Sequence, residues 1–251
     1  MERRSAVRGA LLIGSVVLVI VACSLLLWQA WQLWHRPVVE DRADVRPTRD
    51  AGLVQEHQYQ SAAGCPGTPV DLTAYYNAEA GAAIGTGSRE HPNTLSALRT
   101  GEHAFADVKF SVNGMIQLGK IYPKEVKGIK VGARCQRLHL LHGTAGFEKD
   151  GTPIAGLTLH YADGSTSELA IAYGEHVRDW WAWNQYEATS LAAGTEIAWW
   201  GDNEYAHRQN VRLRLYRTTF ANPKPEVMIE TIDYGMRGTK CNPFLLGFSI
   251  E

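Results

Sequence analysis

The stretch that most restricts what this chain can become runs from Ala155 to Tyr173. Leu157, Leu159 and Tyr161 alternate with Thr158 and His160; the chain then meets Ala162-Asp163-Gly164-Ser165 and returns through Leu169, Ile171 and Tyr173. Period-two alternation on both sides of an Asp-Gly turn is the pattern of a β-hairpin with one buried face, because successive strand side chains point to opposite sides. Further strand-like segments recur around it: Val70–Thr73, Ala106–Val112, Met115–Ile121, Ile129–Leu141, Thr195–Trp200, Val211–Tyr216, Val227–Ile232 and Phe244–Ile250. Gly, Asn, Asp and Pro separate them, and no helix longer than two turns is evident. Many short strands punctuated by turns predict an all-β domain, most simply a jelly-roll β-sandwich. In it Val211, Leu213 and Leu215 are expected to face the core, and Arg212, Arg214 and Tyr216 to face water. The two prolines of Asn222-Pro223-Lys224-Pro225 cannot donate to a ladder, so this stretch reads as a rigid structural turn.

Ahead of the predicted domain, Ala10 to Trp28 runs without a charge, long enough at about 1.5 Å per residue to cross a bilayer's hydrocarbon core. Arg3, Arg4 and Arg8 precede it and Trp28, Trp31 and Trp34 follow. The basic flank keeps the N-terminus cytoplasmic, and the indoles suit an interfacial belt. Residues 1–9 are thus read as a cytoplasmic tail and 10–34 as an anchor helix in the lipid bilayer. Residues 35–66, with Pro37, Pro47 and mixed charges, are read as a stalk, and residues 67–251 as the domain outside, in the periplasm or at the cell surface. A second reading stays open: Ile20-Val21-Ala22-Cys23 fits a lipoprotein signal in which Cys23 becomes the lipidated first residue. A cleaved signal peptide fits less well, since the apolar run continues past the cleavage site.

The formal net charge of -1 supplies no basic face for nucleic acid. No Cys-x-x-Cys pair, phosphate loop, His-Glu-x-x-His helix or Gly-x-Ser-x-Gly elbow is present. Glu175, Asp179, Glu187, Glu196, Asp202 and Glu204 form a pool from which a two-carboxylate glycosidase would draw, but no spacing sets two at a working separation; the chain is read as non-catalytic. Cys65 precedes the first strand and Cys241 the last, so in a jelly roll with adjacent ends these two are expected to form a disulfide, with Cys135 a small buried residue. Cys135–Cys241 is the competing pair. Among histidines 139, 142, 160, 176 and 207, His139 and His142 stand three apart on a strand and point to opposite faces, so no metal site is expected. No cofactor is expected either; a structural calcium ion suits such a fold, but no calcium-loop pattern locates one.

Asp71-Leu72-Thr73 with Tyr76-Asn77, then Val126–Gly143, Tyr161-Ala162-Asp163-Gly164-Ser165, Asp179-Trp180, Ala198–Asn203, Asn222-Pro223-Lys224-Pro225, Ile232-Asp233 and Pro243–Leu246 together resemble bacterial modules with a galactose-binding-like jelly-roll fold. The resemblance spans about residues 70–251. It implies a non-catalytic module of a fold superfamily that often binds sugars, and it carries over no individual ligand residue.

Sugars present apolar C–H faces and many hydroxyls, so a glycan site pairs aromatic platforms with planar polar groups. Trp181, Trp183, Trp200, Tyr186 and Tyr205 are the candidate platforms, and Asp179, Asn184, Asp202, Asn203 and Arg208 the candidate partners. Trp180-Trp181 and Trp199-Trp200 each hold two adjacent indoles, and strand alternation sends one of each pair inward. The loops around Trp181–Tyr186 and Gly201–His207 are expected to meet at one end of the sandwich and bind glycan or cell-wall polymer. The alternatives are that the rings only fill the interior, or that another envelope protein is the partner.

Overall fold

The computed structural model describes residues 61–84, 93–183 and 191–251. The expected tail, the anchor with Cys23 and most of the stalk lie outside those residues; among the described residues no helix is long and apolar enough to cross a membrane. The described chain is antiparallel β-structure. Its strands are β1 (Thr68–Pro69), β2 (Gly101–Phe105), β3 (Val108–Val112), β4 (Ile116–Gln117), β5 (Glu125–Ala133), β6 (Arg137–Ala145), β7 (Pro153–Tyr161), β8 (Thr166–Ala172), β9 (Trp181–Ala182), β10 (Thr195–Gly201), β11 (Arg212–Ala221), β12 (Ile229–Met236) and β13 (Asn242–Ile250), with a short helix α1 (Glu204–Arg208) between β10 and β11.

A seven-stranded sheet runs β1-β13-β6-β11-β10, with β4 also beside β13 and β9 also beside β11; a four-stranded sheet runs β5-β12-β7-β8; β2 and β3 pair alone. The predicted hairpin is β7–β8, with Leu157 opposite Leu169 and Leu159 opposite Ser167. Its turn is closed by the Asp163 carboxylate, which accepts from the Ser165 amide (2.9 Å), and by Gly164 at φ +79°, where a Cβ would be strained. The expected single strand Ile129–Leu141 is instead two. β5 belongs to the four-stranded sheet and β6 to the seven-stranded one, and the chain turns the corner at Arg134-Cys135-Gln136, which carries neither Gly nor Pro. The expected strand Met115–Ile121 keeps ladder geometry only over β4, and Ala106–Val112 is the second arm of the β2–β3 hairpin, with Ala106 and Asp107 at positive φ in its turn.

One core cluster joins the two larger sheets: Leu138 and Leu140 of β6, Tyr216 of β11 and Leu245 of β13 meet Ile129, Leu157, Leu159, Ile171, Ile232 and Tyr234 of the four-stranded sheet. A second lies on the other face of the seven-stranded sheet, where Leu141, Leu213, Leu215, Phe244 and Leu246 meet Phe105 and Phe110 of the β2–β3 hairpin, Leu95 and Leu98 of a loop, Trp180, Trp199 and Ala206 of α1. The seven-stranded sheet is therefore covered on both faces. This explains why β6 is buried at every position after Arg137 and β13 at every position after Asn242, and why neither alternates cleanly in sequence. It also overturns the expectation for β11. Arg214 and Tyr216 are buried; the Arg214 guanidinium lies 5.5 Å from the Tyr216 ring centroid and donates from Nε to the Asp179 carbonyl (2.9 Å).

The cysteines among the described residues do not pair. Cys65, Cys135 and Cys241 are all free thiols. The terminal strands are adjacent as expected, but antiparallel pairing sets Thr68 opposite Ile250, so Cys65 lies by the C-terminal end of β13 while Cys241 precedes its N-terminal end. The nine residues of β13 separate them by about 30 Å at ~3.4 Å per residue. The competing pair fails for the same reason, since the Gln136 amide donates to the carbonyl of Glu251, just past that C-terminal end. Burial, the main cause, pushes the Cys241 thiol up to about 11.

The register defines two ends. At the entry end lie β1, the C-terminus of β13, the β5–β6 corner and the hairpin turn at Asp163-Gly164. At the far end lie the N-terminus of β13, the C-terminus of β6 paired to it through Ala145 and Asn242, β9, and the exit of β10 into α1.

Candidate functional site

At the far end, β9 and β10 flank β11 on opposite edges, and Leu213 is the register partner of both Trp181 and Gly201. This brings the two predicted loops together. Trp181 stacks obliquely on Trp183 (ring centroids 5.7 Å apart, 55° between planes) and on Tyr205 of α1 (5.5 Å, 46°). Trp181 and Tyr205 are half-buried, whereas Trp183 is 50% exposed and offers the open face of the group. The adjacent indoles separate as alternation requires: Trp180 and Trp199 are in the core, and Trp181 and Trp200 are at the surface.

Trp200 does not join the other rings. Its register partner is Arg214, whereas that of Trp181 is Leu213, so the two indoles stand on opposite faces of one sheet. Trp200 instead lies under the Arg212 guanidinium, 4.5 Å from its centroid, a cation–π contact. Asn184 and Tyr186 lie outside the described residues.

The predicted polar partners shape the platform. The Asn203 side chain caps α1, accepting from the Ala206 amide (2.7 Å), and its Nδ2 donates to the Thr94 carbonyl (2.7 Å) and to Asn93 Oδ1 (3.2 Å). Asp202 accepts from the Asn203 amide (2.7 Å) and sits 3.6 Å from His207 Nδ1. Arg208 bridges to Glu204 one turn back (2.7 Å), and Asp179 accepts from the Trp181 amide (3.3 Å). Asn93 was not anticipated. It is buried, and its Oδ1 accepts from both Trp181 Nε1 (3.3 Å) and Asn203 Nδ2 (3.2 Å), tying one loop to the other. Its local sequence, Pro92-Asn93-Thr94, signals a turn and nothing about its partners.

The histidines act separately. His139 bonds Thr219 (2.9 Å) on one face of β6 and His142 bonds Thr218 (2.9 Å) on the other. Burial drives the His142 pKa down to about 3 and lowers those of His139 and His176. Among the described residues no group of three or more His, Cys, Asp or Glu side chains is placed to hold a metal ion. A shallow groove on the outer face of the four-stranded sheet was also not anticipated. There the paired glycines Gly156 and Gly235 leave room between Lys124, Glu125, Thr158 and Arg237.

No known protein-family model matches this chain, and no curated protein matches it. The chemistry of the far end therefore rests on its own geometry: Trp181 in contact with both Trp183 and Tyr205, with Trp183 half exposed, on a scaffold fixed by Asn93 and Asn203.

Proposed function

We propose that this chain is a non-catalytic binding module, anchored in the cell membrane through residues 10–34, whose outward jelly-roll domain of the galactose-binding-like kind holds a glycan or cell-wall polymer on the Trp181–Trp183–Tyr205 platform. The observation that carries the reading is Trp183. An indole half open to water, braced by a second indole that is itself hydrogen-bonded to a buried Asn93, is a pre-set apolar surface of the size of a sugar ring. Membrane anchoring is supported by the uncharged Ala10–Trp28 run with its basic flank, and lipidation at Cys23 is the other route to the same tether.

The test is retention of the full chain on a panel of bacterial glycans and cell-wall fragments. Wild type is expected to be retained on at least one member, and Trp183→Ala to lose at least tenfold in affinity while changing stability by under about 1 kcal/mol. A blank panel for wild type overturns glycan binding. Recovery of one specific envelope protein by crosslinking in native membranes would then favour the protein-partner reading.

A further inference from the structure

We infer that the far end of the domain carries a second contact surface, distinct from the Trp183 platform, that seats against an anionic lipid surface through Ile121 and Phe147. These are the two most exposed large apolar side chains among the described residues, at 86% and 77%. They stand on separate loops that the register brings together. β4 and β6 flank β13, with Gln117 opposite Phe244 and Ala145 opposite Asn242, so the loops after β4 and β6 leave the same end of the sheet about 10 Å apart, two inter-strand spacings.

Both loops are held, so the exposure is built in. The Gly119 amide donates to the Pro123 carbonyl (3.4 Å), folding residues 120–122 into a projecting turn. Phe147 is fixed from both sides: before it Ala145 pairs with Asn242, and after it Glu148 accepts from the Lys240 amide (3.1 Å) and Asp150 is clamped by both terminal nitrogens of the buried Arg178 (3.0 and 2.7 Å). Those bonds engage the two acids of the loop with the protein itself. Around the tips, Lys120, Lys124, Lys149 and Lys240 are all exposed, a local excess of positive charge on a chain whose net charge is -1.

Convex apolar points on separate loops, ringed by lysines, give a protein partner little area to match. A bilayer deforms around such points and supplies both the apolar depth and the anionic headgroups. None of the platform's rings is used, so this surface stands or falls apart from the glycan reading.

The test is amide hydrogen exchange of the full chain with phosphatidylcholine vesicles, with and without a third of phosphatidylglycerol. Exchange in residues 119–124 and 146–151 is expected to slow at least fivefold only with the anionic vesicles. The slowing should vanish in I121S/F147S and separately in K120E/K149E, with exchange elsewhere unchanged. Equal exchange in both lipids overturns the proposal. So does slowing that appears without lipid and grows with protein concentration, which would indicate a second copy of the chain.

Discussion

The two ends of this sandwich are made from the same strands and finished in opposite ways. At the entry end polar side chains close on one another: Tyr161 donates to Asn222 (2.6 Å), Lys224 to Ser165 (2.6 Å), and Glu251 takes both Arg137 (3.0 Å) and His139 (3.3 Å). At the far end stand all three large apolar side chains exposed among the described residues, Ile121, Phe147 and Trp183. Exposed rings and aliphatic tips held in fixed loops need a reason, whereas an internally satisfied seam needs none. The end at which the chain enters the domain is thus sealed, and the opposite end presents exposed apolar side chains.

Substitutions at the two ends should separate their roles. The largest effect is expected from Trp180→Ala. This indole is fully buried and meets Phe244 edge-on, so its loss should cost about 3–5 kcal/mol in denaturant unfolding and disturb the platform above it. Acid comes next. The folded pKa of His142, about 3, lies below the unfolded value of about 6.5, so the unfolded chain takes the proton first as pH falls. Stability from this site is complete above pH ~6.5 and is lost progressively down to about pH 3, by roughly 5 kcal/mol. His142→Gln should flatten that slope in unfolding measured across pH, and His139 and His176, also lowered by burial, should leave a smaller one. Third, Asn222→Ala leaves the Tyr161 hydroxyl and the Cys135 carbonyl without their partner; it should cost about 2 kcal/mol and leave glycan retention as in wild type, since it acts at the sealed end. The smallest stability effects belong to the surface indoles. Trp183→Ala and Trp200→Ala should each change stability by under about 1 kcal/mol, yet only the first should abolish retention.

Sequence reading goes furthest where one physical rule dominates. The β7–β8 hairpin is legible because its sheet has one wet face, so Leu157 and Leu159 alternate with polar neighbours, and the inward and outward members of each Trp-Trp pair follow from the same parity. β6 and β13 are less legible because a layer covers each side of them, which erases alternation. The corner at Cys135 lacks turn residues because its backbone is tied by tertiary bonds, Asn222 donating to the Cys135 carbonyl (2.9 Å) and the Gln136 amide to that of Glu251. The Cys65–Cys241 pairing failed on direction, since adjacency of terminal strands says nothing about which of their ends meet. Within the candidate site, the convergence of the Trp181 and Tyr205 loops could be read from sequence. The separation of Trp200 could not, because face parity between two strands depends on a register that only the shared partner β11 sets. Asn93 was hidden because this turn residue's side-chain partners lie 88 and 110 positions away, at Trp181 and Asn203.

The central claim, that binding is confined to the end opposite the chain's entry, is tested most directly by hydroxyl-radical footprinting of the full chain with and without its retained glycan. Protection is predicted at Trp183 and Tyr205, with Trp200 and Phe220 modified equally in both samples. Protection at Trp200 or along the entry end, with Trp183 still fully reactive, would contradict the account.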